Sequence, residues 1–310
     1  MRAAFIRILI NRAKADKRIY LLVGDVGFSL VEPFAKKFPE RFINVGIAEQ
    51  NMIGVACGMA LSGKIVFIYS LTNFPTLRCF EQIRNDICYH NANVKIVTAG
   101  SGFTYGTLGV THHTTEDLAI MRALPNMTVI SPGDPVESEL AMRAVINQKG
   151  PCYLRLQKTG DPLVYKNFPK FKIGRAITVR KGNDITLIAT GGILYNTVRA
   201  SELLAQRGIN ARVLSMHTVN PLDKKAILTA ARQTNIIMTI EEHRVIGGLG
   251  SAVAEVLAET KNLKFVFRRI GIDNKFDYKI GTQEYLRKKH SLSIEGIAKA
   301  ALGLLHDRRG

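Results

Sequence analysis

FINVGIAEQNM, residues 42–52, reads as a short apolar strand, a turn and the opening of a helix, with one carboxylate, Glu49, at the junction. Gly46 permits the tight turn, because a residue without Cβ reaches left-handed backbone conformations freely. Gly54, Ala56, Gly58 and Ala60 then keep one helix surface small, so the helix can lie close on a sheet. A negative side chain near a helix N-terminus gains about a few tenths of a kcal/mol from the helix dipole, which alone would account for a Glu here. The flanking amides of Gln50 and Asn51 add to the pattern, and together they describe a carboxylate that can be buried and still aimed at a ligand.

Outward from this junction, short apolar runs alternate with helical patterns. Residues 20–23, 65–68, 95–98, 127–130 and 152–156 read as strands with helices between them, which implies a parallel sheet covered on both faces. A polar, proline-containing stretch at 160–174, GDPLVYKNFPKFKIG, reads as a linker. A second alternation follows, with strands at 185–189, 211–215, 236–240 and 265–269 and helices near 195–207, 224–234 and 250–259. The expected fold class is therefore α/β, with two successive domains, residues 1–168 and 169–310.

The chain has 310 residues, 46% of them hydrophobic, enough for two proper cores. Its four cysteines, Cys57, Cys79, Cys88 and Cys152, form no CxxC pair, so neither a zinc site nor a disulfide framework is expected, and they read as reduced cytoplasmic thiols. The N-terminal MRAAFIRILINRAKADKR has the outline of a targeting segment, but Phe5, Ile6, Leu9 and Ile10 recur at helical spacing and a core strand follows, so it reads as an ordinary first helix. No run approaches the ~20 apolar residues of a membrane span. The formal charge of +18 raises the possibility of nucleic-acid binding. Its basic pairs, Lys36 with Lys37, Lys224 with Lys225, Arg268 with Arg269 and Lys288 with Lys289, lie in separate segments without a recognition motif between them. An acidic partner or anionic small substrates explain the charge more economically than nucleic acid.

GIAEQNM, together with LVGDVG (22–27), FEQIRND (80–86), GVTHH (109–113), RALPNMTVISPGDPVE (122–137) and EEHRVIGGLGSAVAE (241–255), resembles the C-terminal half of transketolases, in the form encoded as two polypeptides. The resemblance implies thiamine diphosphate and a pyrimidine-binding domain followed by a transketolase C-terminal domain. Glu49 matches the carboxyl that bonds N1′ of the aminopyrimidine and favours the tautomer able to take the C2 proton. That role calls for desolvation, which raises a carboxyl pKa. In the same way Tyr69 and Phe74, in IYSLTNFPTLRCFEQ (68–82), match aromatic residues stacked on the pyrimidine, and Asp25 a residue reaching toward the cofactor. Phe80 matches a packing aromatic. His112 matches the histidine facing substrate oxygens, and His113, where glutamine is usual, is a further substrate-binding candidate. Arg155 and Arg78 match arginines that contact the anionic substrate, and Arg2 is a further phosphate candidate.

Two departures bear on substrate: Leu108 stands where an acidic residue reads donor stereochemistry, and Gly100 where a phosphate-binding histidine is usual. The Gly-Asp-Gly motif that holds the diphosphate through Mg²⁺ is missing, so this chain is expected to supply no metal ligand. The resemblance then implies a partner, an N-terminal transketolase subunit, in an α2β2 heterotetramer. A β subunit of a 2-oxoacid dehydrogenase, a deoxyxylulose-phosphate-synthase-like enzyme and a noncatalytic polyanion-binding protein are the alternative readings; neither nucleic acid nor membrane is an expected partner.

Overall fold

The computed structural model describes residues 1–158 and 160–307. Its strands are β1 (Ile19–Val23), β2 (Phe42–Asn44), β3 (Ile65–Leu71), β4 (Val94–Ala99), β5 (Thr128–Ile130) and β6 (Cys152–Leu156), then β7 (Ile177–Arg180), β8 (Ile185–Thr190), β9 (Ala211–Ser215), β10 (Thr218–Asn220), β11 (Ile236–Arg244) and β12 (Val266–Ile272). They form a seven-stranded sheet in the order β10-β5-β6-β4-β3-β1-β2 and a five-stranded sheet in the order β12-β11-β8-β9-β7. All pairings are parallel except β10 with β5 and β7 with β9. The two sheets are the two α/β units expected from the alternation of apolar runs.

Burial on both faces explains why β3, β4 and β6 read as unbroken apolar runs rather than alternating ones. Ile65, Phe67 and Tyr69 of β3 point into a core built with Phe5, Leu9 and Phe34, whereas Val66 and Ile68 point into a second core with Met52, Ile53 and Ile87. The N-terminal segment is a helix, Arg2–Ala15, whose Phe5, Ile8 and Leu9 are buried in the first of these cores.

Three features were not anticipated. Strand β10 lies in the second half of the chain but joins the first sheet, pairing Thr218 with Ile130. Strand β7 closes the edge of the second sheet. The segment between the units is no free tether: the Val164 and Tyr165 amides donate to Asp134 at 2.9 and 3.2 Å, and Phe171 stacks on His217 with ring centroids 4.1 Å apart. Among the described residues no helix is long and apolar enough to cross a membrane. The four cysteines are buried and unpaired.

Candidate active site

In a parallel sheet the loops after the C-terminal strand ends gather at one edge, and ligands bind there. Here β1 is followed by Gly24, β2 by the 45–48 turn, β3 by the helix Asn73–Leu77 and β4 by Gly100. Glu49 opens the helix Glu49–Leu61 and is 2% exposed. Its Oε2 accepts a hydrogen bond from Arg78 Nη1 at 2.8 Å, and Arg78 is itself half exposed. The Arg78 guanidinium also lies 4.9 Å from the centre of the Phe74 ring, and its carbonyl accepts a bond from Gln50 Nε2 at 3.2 Å. Burial and the nearby Glu49 charge push the Cys79 thiol up to about 12, so it stays protonated and takes no part in nucleophilic chemistry.

The loop carrying GVTHH faces this group. Asn73 Nδ2 donates to the His113 carbonyl at 2.7 Å and the Thr111 carbonyl at 3.1 Å, tying the loop to the turn that carries Phe74. His112 stands edge-on to Phe74 at 5.7 Å and to Tyr105 at 6.3 Å, and its Nδ1 shares a hydrogen bond with Thr111 Oγ1 at 3.0 Å. Phe74, Tyr105, Thr111, His112 and Gly100 line one narrow cleft. From the far side the second unit braces the loop: Glu242 Oε1 accepts from the Phe103 amide at 2.6 Å, and Glu242 Oε2 takes Arg287 Nε at 2.6 Å. Gly102 permits this contact, since a Cβ there would come within 2.4 Å of Glu242 Oε1.

The structure thus gathers Glu49, Phe74, Arg78 and His112 and places the other candidates elsewhere. Tyr69 is 1% exposed and stacks on Phe5 at 5.6 Å, on the sheet face opposite the Glu49 helix, so it is a core residue rather than a stacking partner for a ring bound at Glu49. His113 is buried, with Nε2 on the Gly106 carbonyl at 3.2 Å and its ring edge-on to Phe103, so it holds the loop instead of facing substrate. Arg155 is also buried: Nε bonds Asp117 Oδ2 at 2.6 Å, and Nη2 reaches Asp117 Oδ1, the Thr114 carbonyl and the Glu242 carbonyl at 3.1, 3.1 and 3.2 Å. It ties the His112 loop to the second unit and has little left to offer an anion. Arg78, 48% exposed at its side chain, is paired with Glu49 in this structure. Asp25 is exposed at the end of β1, bonded to Asn44 Nδ2 at 3.0 Å. Phe80 packs against the second core, as expected.

Sequence reasoning missed Asn73, Tyr105 and Lys158. Tyr105 fills the space over Gly100: a Cβ at Gly100, whose φ is +103°, would lie 2.4 Å from the Tyr105 ring. Lys158 Nζ sits 5.3 Å from the centre of that ring, and Arg2 Nε donates to the Lys158 carbonyl at 3.0 Å. Burial raises the Tyr105 phenol pKa, and the Arg2 charge opposes that rise. The missing histidine was legible; what replaced it was not.

The site is thus an acid buried at a strand-to-helix junction beside an aromatic ring and a histidine loop. Residues 1–160 match the model of the transketolase pyrimidine-binding domain, and residues 174–297 that of the transketolase C-terminal domain. The chain belongs to the transketolase family, and it is a counterpart of the separately encoded C-terminal subunits. It is 39% identical over 302 residues to the 6-deoxy-6-sulfo-D-fructose transketolase subunit SqwH of a Clostridium species, covering 97% of this chain and 93% of that one. It is 37% identical over 303 residues to a subunit of the apulose-4-phosphate transketolase of Phocaeicola vulgatus, covering 97% and 96%. A solved split-gene transketolase, described as an inactive β4 tetramer, superposes with a TM-score of 0.88 at 37% identity, covering 98% of this chain and 97% of the other.

The side chains fit the aminopyrimidine half of thiamine diphosphate. Glu49 and Phe74 offer a shielded acid and an aromatic face for the aminopyrimidine. Among the described residues no group of three His, Cys, Asp or Glu is placed to hold a metal ion.

Proposed function

We propose that this chain is the pyrimidine-side subunit of a transketolase that moves a two-carbon ketol unit between anionic sugars, active when a second polypeptide carrying the diphosphate- and Mg²⁺-binding domain closes over Glu49. The observation that carries the reading is Glu49 itself, a carboxylate 2% exposed at the helix start beside Phe74. Thiamine diphosphate, when bound, supplies a nucleophilic carbon that takes up and passes on the ketol unit. Glu49, shielded from water, shares a proton with the ring nitrogen it faces. Phe74 offers the flat apolar surface that orients the ring. His112, its Nδ1 tied to Thr111, presents its other ring nitrogen for proton exchange with substrate oxygens.

The anionic end of the sugar falls to Lys158, whose Nζ lies over the Tyr105 ring, and to Arg2, bonded to the Lys158 carbonyl. Relatives named for a sulfonated and a phosphorylated sugar support an anionic donor. The charge of +18 favours an acidic partner, and α2β2 is the assembly that pairs each Glu49 with a diphosphate domain. Buried, unpaired thiols accord with a cytoplasmic setting.

Co-expression with the N-terminal subunit, then an assay with phosphorylated and sulfonated ketose donors, thiamine diphosphate and Mg²⁺, tests the proposal. Ketol transfer is expected from the complex and from neither polypeptide alone. Full turnover by this polypeptide on its own, or none by the complex with any anionic ketose, would contradict it.

A further inference from the structure

The two groups a bound aminopyrimidine needs, the Glu49 carboxylate and the face of Phe74, are both engaged by one side chain. Arg78 Nη1 donates to Glu49 Oε2 at 2.8 Å while its guanidinium lies 4.9 Å from the centre of the Phe74 ring. A guanidinium is a planar, delocalised cation whose N–H groups lie in the plane of its N–C–N unit. A protonated aminopyrimidine presents the same features: a flat face, an in-plane N–H and a positive charge spread over an amidine. We propose that Arg78 is a placeholder for the cofactor ring, occupying its carboxylate and its stacking surface until thiamine diphosphate enters and then swinging out.

The inference rests on the functional reading above and adds to it a residue that acts through Glu49. Leaving a carboxylate buried without a partner is costly, so the site needs an internal cation until the ring arrives. Glu49 is 1% exposed at its side chain and Arg78 48%, so the acid is fixed while the arginine has open solvent into which to retreat. A competitor of this kind lowers apparent cofactor affinity by the fraction of time it holds the site. It also keeps Glu49 compensated before the second polypeptide docks.

The test uses Arg78→Ala and Arg78→Lys in two measurements. In the assembled complex, titrated with thiamine diphosphate at constant Mg²⁺, R78A is expected to bind about 5- to 150-fold tighter than wild type, the usual span of coupling between two sites. R78K, whose ammonium can pair with Glu49 but has no plane to stack, is expected between them. In the free chain R78A is expected to lower the melting temperature, and this loss is expected to vanish in a Glu49→Gln background, where no buried charge needs a partner. Weaker or unchanged cofactor binding by R78A, or an equal melting loss with and without the Glu49 charge, overturns the placeholder. A wild-type complex that binds no thiamine diphosphate overturns the functional reading, and the placeholder with it, whatever the melting cycle shows.

Discussion

Glu49 was legible because four constraints coincide on one residue: a strand before it, a helix after it, a turn glycine and small residues behind. Its neighbours were harder to read. His112 and His113 are adjacent in sequence, yet one edges the cleft and the other is sealed against Phe103 and the Gly106 carbonyl. Tyr69 lies on the far sheet face because side chains alternate along β3, a choice the surrounding apolar run conceals. Gly100 makes a prediction of its own. Restoring a histidine there puts a Cβ into the Tyr105 ring at a positive φ that side chains rarely adopt. G100H is expected to expel Tyr105 from the cleft and to cost about 1–3 kcal/mol of stability, read by thermal melting. Donor KM is expected to change with it. An unaltered melting curve and KM would mean that Tyr105 is not seated there.

At the scale of elements, the strands could be read from their apolar runs, but not the direction in which each polar side chain leaves them. Arg155, near the end of β6, turns inward to Asp117, whereas Lys158, three residues on, lies over the Tyr105 ring. An arginine buried in a bidentate pair with a carboxylate that also accepts from the Tyr153 hydroxyl at 2.6 Å is a structural brace. Asp117→Asn leaves the guanidinium uncompensated and is expected to cost about 3–5 kcal/mol in urea unfolding, with donor KM in the folded fraction little changed. The opposite pattern, stability kept and KM raised, would restore Arg155 as an anion-binding residue. Glu137, in the helix Pro135–Asn147, accepts from the Gly133 amide at 2.6 Å and from the Tyr165 hydroxyl, joining the helix to the segment between the units. Burial is the main cause that raises its pKa from 4.5 to about 7, against bonds from Ser215, Tyr165 and Gly133 that lower it. Folded protein therefore binds this proton more tightly than unfolded protein. The resulting stability is complete below pH 4.5, is lost as pH rises toward about 7, and amounts to roughly 3 kcal/mol over that window. Glu137→Gln, neutral at every pH, is expected to match wild type in acid and exceed it by about that amount at pH 8. Parallel pH profiles would remove Glu137 as the cause.

For the whole molecule, the division into two α/β units was readable from the alternation. The crossing of β10 into the first sheet was not, because three residues paired with a strand nearly ninety positions away leave no local pattern. The Glu242 brace and the Arg155 ties join the His112 loop to the second unit, and that crossing joins the second half of the chain to the first sheet. The account depends most on what Glu49 does once closure has occurred. Exchange of the C2 proton of bound thiamine diphosphate for deuterium, followed by NMR in the reconstituted complex, measures this without any sugar present. Wild-type complex is expected to exchange about 10²- to 10⁴-fold faster than the Glu49→Gln complex at equal cofactor occupancy, the usual reach of a positioned acid–base group. Equal exchange rates in the two complexes would contradict the account.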